Sequence, residues 1–302
     1  MSIDTPLVSV VIPAYNHENY IQDAVCSIIL QTYNNIELIV IDDGSKDLTW
    51  EKLKQLEASC KERFVRVVFK TRNNKGICST LNELIEIARG DYIFHIASDD
   101  VAKPDAISTE VDFLNKNPDY GFCVGDNDLI DSEGRICYLD RSRNVVHDIN
   151  AAAYRTFGDY LKSERSDIDF NSEEFGKYYT FIKGGNYVPN GFLVRKSIYE
   201  KIGHYTSEAA LEDLWLMLQV SKYSKLKYIN QVLFSYRQHS SNTINDKQKM
   251  NNATYSTFLY ESKVLETIRM EDVLPGVSQY IQDYIVTKQK GLKYLFEIIY
   301  LG

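Results

Sequence analysis

Four short apolar runs, each followed by a stretch of helical spacing, fill the N-terminal third of the chain and leave few folds open. The runs are Val8–Ile12 (VSVVI), Ile36–Ile41 (IELIVI), Val65–Phe69 and Tyr92–Ile96. Continuous β-branched runs of this length suit strands buried on both faces. Between them, Tyr20, Ile21, Ala24, Val25, Ile28 and Ile29 recur at helical spacing, as do Trp50, Leu53, Leu56 and Cys60. Ile77, Leu81, Leu84, Ile85 and Ala88 line one face of a third helix, 77–89, closed by Gly90. Alternation of this kind predicts an α/β fold: a parallel sheet, helices on both faces, right-handed crossovers. The strand ends at Pro13–Asn16, Asp42–Ser45, Arg72–Gly76 and Ala97–Asp100 then share one edge, where such sheets bind ligands.

The last of those ends is acidic. Asp99 and Asp100 close a buried strand and precede Pro104. Aspartates there serve as turn or helix caps, or as oxygen ligands for Mg²⁺ or Mn²⁺ bridging to a phosphate. No G-x-G-x-x-G follows the first strand and no P-loop sequence occurs, which disfavours a dinucleotide dehydrogenase and a P-loop NTPase. Without those glycines a diphosphate needs a metal, and the two aspartates are placed to hold one.

Bulk properties narrow the partners. A net charge of −8 argues against a nucleic-acid binder. The five cysteines form no CxxC pair and read as reduced thiols in a cytoplasmic protein. No basic leader precedes VSVVIP, and no run has bilayer-spanning length. The 22 tyrosines offer stacking faces for bases or sugars, though packing alone accounts for most residues of this type.

Six motifs then occur in order: PAYNHENY, VIDDGSKD, NNKG, ASDDVAKPD, ALEDLWLML and YRQHSSNTI. Together they resemble the family 2 glycosyltransferases of GT-A fold over roughly residues 6–244. The resemblance implies a mostly parallel, Rossmann-like sheet flanked by helices. It also implies inverting transfer of a hexose from a nucleotide diphosphate donor, usually UDP-linked, with Mn²⁺ or Mg²⁺. The expected acceptor is a glycan or lipid-linked sugar of surface polysaccharide, O-antigen or capsule, with peripheral contact at the inner membrane face.

Carried over by position, the resemblance implies that Pro13, Ala14 and Tyr15 wall the nucleobase site, with Glu18 in the same turn. Asp43 would bond the uracil imide, with Asp42 as its substitute. Arg72 and Lys75 would contact base or diphosphate, or stand as solvated surface charges. Asp99 would bind the metal and Asp100 the nucleotide sugar. The family's first motif carboxylate is Ala97 here, so Ser98 or a water would replace it at the donor ribose. Asp213 would be the general base and Glu212 its partner, although acidic residues also favour a helix start on their own. His239 would be a further metal ligand or diphosphate contact, helped by Arg237, and His95 reads as structural.

By this reading residues 1–240 form the transferase domain, divided near 118 into nucleotide and acceptor halves. Residues 119–185 are a variable excursion shaping the acceptor pocket, or a solvated insert. Residues 241–302 form a C-terminal helical extension whose segment Tyr280–Leu301, with Lys288, Lys290 and Lys293, suits a packing, dimer or interfacial helix. Two other readings stay open: a catalytically degenerate sugar-binding scaffold, motivated by Ala97, and a sugar nucleotidyltransferase.

Overall fold

A computed structural model of the chain describes residues 5–240, 242 and 246–288. The four predicted runs are strands β1 (Val8–Ala14), β2 (Ile36–Asp42), β3 (Arg66–Thr71) and β4 (Tyr92–His95). Helices α1 (Ile21–Ile29), α2 (Thr49–Gln55), α3 (Glu57–Arg63) and α4 (Ile77–Ile87) connect them. The segment around Trp50–Cys60 is two helices, not one: the chain breaks at Leu56, whose N–H bonds back to Leu53. Leu53 and Cys60 stay buried on either side of the break.

Next come β5 (Val101–Ala102), α5 (Ala106–Lys116), β6 (Tyr120–Ile130), β7 (Ile136–Leu139), β8 (Val145–Val146), α6 (Phe157–Glu164), α7 (Tyr178–Gly184), β9 (Phe192–Arg195) and α8 (Lys196–Ile202). The chain continues through α9 (Glu212–Tyr223), β10 (Lys225–Arg237), α10 (Lys247–Val264) and α11 (Pro275–Lys288). The sheet order is β3-β2-β1-β4-β9-β6-β10-β5. The first four of these strands are mutually parallel, β9 is antiparallel to both neighbours, and β10 runs parallel to β6. Two apolar clusters cover the two faces of the sheet, as buried strands require.

The segment 119–185 corrects the expectation of an excursion. Its first part, β6, is a central strand buried along almost its whole length. The polar run Asp126–Asp128 disguises it, because its two aspartates bond inside the protein. Asp126 accepts from the Thr156 hydroxyl (2.8 Å) and the Gly158 N–H (2.8 Å). Lys103 donates to Asp128 at 2.7 Å. The Tyr-rich stretch beyond it is not a solvated insert either. Phe157, Tyr160, Leu161, Phe170, Phe175 and Tyr178 are all buried in the larger core cluster.

α9 is apolar on every side, with Leu214 through Lys222 buried, so it runs through the molecule. α10 and α11 pack against the same cluster through Phe258, Leu265, Val273, Val277 and Ile281. The cysteines are free thiols, as expected. Among the described residues no helix is long and apolar enough to cross a membrane. Most of the segment Tyr280–Leu301, including Lys290 and Lys293, lies outside the described residues.

Candidate active site

Two loops at the ends of β1 and β2 are stapled together before any ligand is considered. The N–H groups of Asn16, His17 and Glu18 donate to side chains of Ser45 (2.9 Å), Thr49 (2.8 Å) and Asp47 (3.0 Å). In return Asn16 accepts from the Lys46 N–H and Glu18 from the Leu48 N–H. Glu18, expected at the nucleotide, spends its carboxylate on this staple. Tyr15 is exposed on the same turn, whereas Ala14 is buried and offers its carbonyl to the Asp43 N–H at 2.8 Å. Pro13 precedes them, partly buried at the strand end.

Asp42 and Asp43 divide sharply. Asp42 is buried and accepts from the hydroxyls of Ser45 and Thr71, so both its oxygens are occupied. Asp43 accepts from the N–H groups of Lys75 and Gly76, each at 2.9 Å, and pairs with Arg72. Arg72 is largely buried, so it is not a solvated surface charge. Its guanidinium bonds Asp43, Glu83 (2.9 Å) and Thr80 (2.9 Å), which fixes the loop around the crevice. Lys75 is exposed beside it. Gly44 between the loops has φ +75, and a Cβ there would sit 2.7 Å from the Asn74 nitrogen, so only glycine fits.

After β4 the chain crosses the sheet edge, and β5 pairs with β10 at Val101–Ser235 and Ala102–Phe234. That crossing brings Asp99 and Asp100 to Arg237 and His239. Asp99 Oδ2 lies 3.0 Å from His239 Nε2 and 3.9 Å from His17 Nε2. One ligand atom from each of the three lies within 4.8 Å of the others. Burial works against charge on Asp99, but the hydrogen bond to His239 and the nearby imidazoles outweigh it and hold the pKa below the usual carboxylate value. Burial lowers the pKa of His17, against the pull of Asp99. An ionised carboxylate and a neutral imidazole are the forms a metal needs. Two imidazoles and a carboxylate therefore fit a divalent transition ion such as Mn²⁺ better than Mg²⁺.

His17 was not singled out from the sequence. Its signal lay in its place on the turn after β1, inside PAYNHENY. Its ring is oriented by the Ser98 hydroxyl, 2.7 Å from Nδ1. Ser98, expected at the ribose, is buried behind that histidine instead. Tyr20 stacks on His239 with ring centroids 4.8 Å apart.

Asp100 turns inward. It accepts from the Arg237 N–H (3.0 Å) and the Asn190 amide (3.2 Å), and burial followed by the Asp99 charge drives its pKa well up. Asp100 thus braces the turn from beneath, where a nucleotide contact had been expected. Arg237 is fully buried: it donates to the Asp99 carbonyl (2.7 Å) and to Asp23 (2.8 Å), and lies over the Tyr20 ring. His95 is structural, bonded to the Tyr199 hydroxyl at 2.5 Å and stacked on Phe192; burial lowers its pKa to about 3.

Glu212 and Asp213 form the first turn of α9. Burial and then the Asp213 charge raise Glu212 to about 7, and burial raises Asp213. Tyr236 ties this pair to the metal-type cluster. Burial and the charges of Asp100, Asp99 and Asp213 all raise its hydroxyl's pKa.

The family 2 glycosyltransferase model ("Glycosyl transferase family 2") matches residues 9–203. The chain belongs to glycosyltransferase family 2. A glycosyltransferase of Haemophilus influenzae is 32% identical over 240 residues, covering 79% of this chain and 67% of the relative. One from Rickettsia felis is 27% identical over 277 residues, 90% of this chain but only 41% of the relative's length. A chondroitin synthase of Escherichia coli is 38% identical over 131 residues, 43% of this chain and 18% of the synthase.

Solved glycosyltransferases of GT-A fold share this one's architecture. A mannosyltransferase of Pyrobaculum calidifontis, in complex with GDP-Man and Mn²⁺, gives a TM-score of 0.63 at 13% identity, covering 93% of this chain and 69% of that one. Residues 1–349 of S. aureus TarS, in complex with UDP-GlcNAc, give 0.56 at 14% identity, covering 83% and 66%. At such identities the likeness shows the GT-A fold alone. The family 2 fold thus carries, on one sheet edge, a His-Asp-His cluster and a raised-pKa carboxylate pair.

Proposed function

We propose that this family 2 glycosyltransferase is an inverting, metal-dependent hexosyltransferase using a nucleoside diphosphate sugar, in the first place a UDP-hexose. The observation that carries the reading is the convergence of His17, Asp99 and His239 on the edge where GT-A sheets open. A divalent ion held there supplies positive charge against the leaving diphosphate. Asp43 faces the base: three donors occupy its carboxylate, one of them on Oδ2. A carboxylate has about four lone-pair sites, so one remains for the N3–H of uracil. Tyr15 and Pro13 flank it, and Lys75 reaches toward the phosphates.

On the opposite side Asp213 takes the proton from the acceptor hydroxyl as that oxygen bonds to the anomeric carbon. The bond from that carbon to the diphosphate breaks in the same step, giving inversion and a free nucleoside diphosphate. Glu212 sets the charge Asp213 feels. The acceptor is a glycan or lipid-linked sugar, met at the inner face of the membrane in surface-polysaccharide synthesis.

The test is nucleoside diphosphate release from UDP-glucose, UDP-galactose, their N-acetylated forms and GDP-mannose, with and without Mn²⁺. We expect metal-dependent turnover of one donor, lowered at least ~10²-fold by Asp213→Asn and lost in Asp99→Ala and His17→Ala. If no donor turns over and UDP does not bind with Mn²⁺, the donor site is wrong and a scaffold role replaces it.

A further inference from the structure

A second cavity lies where β10 ends, beyond Tyr236. It holds about 200 Å³, and its walls include Ser142, Arg143, Phe157, Tyr236, Gln238 and Lys247. Two of its walls, Tyr236 and Gln238, flank Arg237 and directly precede His239, so the cavity adjoins the site. The opposite walls are basic. In a chain of net charge −8, Arg143 and Lys247 both face this hollow. Both side chains are exposed, and among the described residues neither has a carboxylate within ion-pair distance.

The turn that presents Arg143 is built. Arg143 has φ +68, a conformation uncommon for a residue with a side chain. Asp140 holds it there: the carboxylate accepts from the N–H groups of Ser142 and Asn144, each at 2.8 Å, and the carbonyl from the Arg143 N–H at 3.0 Å. The guanidinium lies 4.8 Å over the Tyr160 ring, which fixes its direction. Arg143 lies in the turn of the β7–β8 hairpin, where a left-handed residue closes the loop. A separate, more open hollow of about 730 Å³ lies against the same turn, lined by Asp140, Arg141, Ser142 and Ala151–Tyr154.

We propose that this cavity is an anion subsite for the acceptor, which carries a phosphate or carboxylate close to the hydroxyl that is glycosylated. Arg143 offers a planar fork and Lys247 a point charge, a pair suited to an oxyanion held at a rigid wall. The proposal rests on the transferase reading above, because it assigns the cavity to the acceptor of that reaction.

Calorimetric titration tests it without requiring turnover. With UDP and Mn²⁺ present to fill the donor side, the protein is titrated with three probes: methyl β-glucoside, methyl β-glucuronide and glucose 6-phosphate. At least one charged probe should bind more tightly than the neutral one. Arg143→Ala/Lys247→Ala should weaken that probe roughly tenfold, as loss of charged hydrogen bonds does. Added NaCl should weaken it too, leaving the neutral probe unmoved. The preferred charged probe says whether the anion is phosphate or carboxylate. Equal binding of charged and neutral probes, binding of none of the charged ones, or binding unchanged in the double variant overturns the subsite. The two readings fail separately. A protein that releases no nucleotide yet binds a charged probe through Arg143 loses the transferase assignment and keeps an anion site. One that turns over donor and ignores the probes' charge keeps the first and loses the second.

Discussion

Asp99 and Asp100 are neighbours in sequence, yet their surroundings push them in opposite directions. The two imidazoles pull the first one's pKa down, while burial and the first one's charge push the second one's up. Glu212 and Asp213 move the same way instead: burial and the Asp213 charge raise the first, and burial alone raises the second. Glu212 stands near 7, so activity should fall as the pH drops below about 7 and level off above it. Glu212→Gln removes the carboxyl that stands near 7 and leaves Asp213 to set the limb. The acidic limb of the pH–rate profile should therefore move to lower pH in that variant. An unmoved limb would show that the two carboxylates do not titrate as a pair.

At the scale of elements, α9 is held at both ends: its first turn carries the carboxylate pair, and its last turn is locked to α10. The buried Lys222 donates to Glu261 (2.7 Å) and to Gln219 (2.9 Å), Gln219 donates to Glu261 (2.7 Å), and the Tyr178 hydroxyl completes the set at 2.5 Å. Lys222→Met leaves a buried carboxylate unpaired and should cost about 3–5 kcal/mol in urea unfolding. Lys222→Met/Glu261→Met should recover much of that loss; two additive losses would mean the pair is not coupled. No pattern in LWLMLQVSKY announces this lock, because Glu261 lies 42 residues beyond Gln219. Strands β1, β2 and β4 are legible for the opposite reason: each is a short, mainly apolar run buried on both faces. β6 hides behind Asp126 and Asp128, whose partners come from distant parts of the chain. Asp99 and His239, which the structure brings together, are legible through their motifs. His17 is not, since an imidazole on a turn gains its meaning only from what β4 and β10 bring to it.

At the scale of the whole molecule, the sequence-based boundary after residue 240 divides one packed body. Phe258, Leu265, Val273, Val277 and Ile281 share a core cluster with Trp215 and Tyr178. At about 1.5–3 kcal/mol for each buried side chain, their loss rivals the entire stability of a typical domain. A chain ending at Ser240 also lacks Asn242, which accepts from the His239 N–H and donates to the Arg237 carbonyl. It should show no cooperative thermal unfolding; a sharp transition near that of the full chain would make the extension dispensable. The distance between Asp99 and His239 along the chain, 140 residues, has a consequence for synthesis. A ribosome must deliver nearly the whole catalytic half before the two side chains meet, so a metal site built on them is complete only late in folding and cannot guide its start. An ion held there as proposed would weight the native state alone, and its supply in a cell would then be a lever on how much of the protein survives.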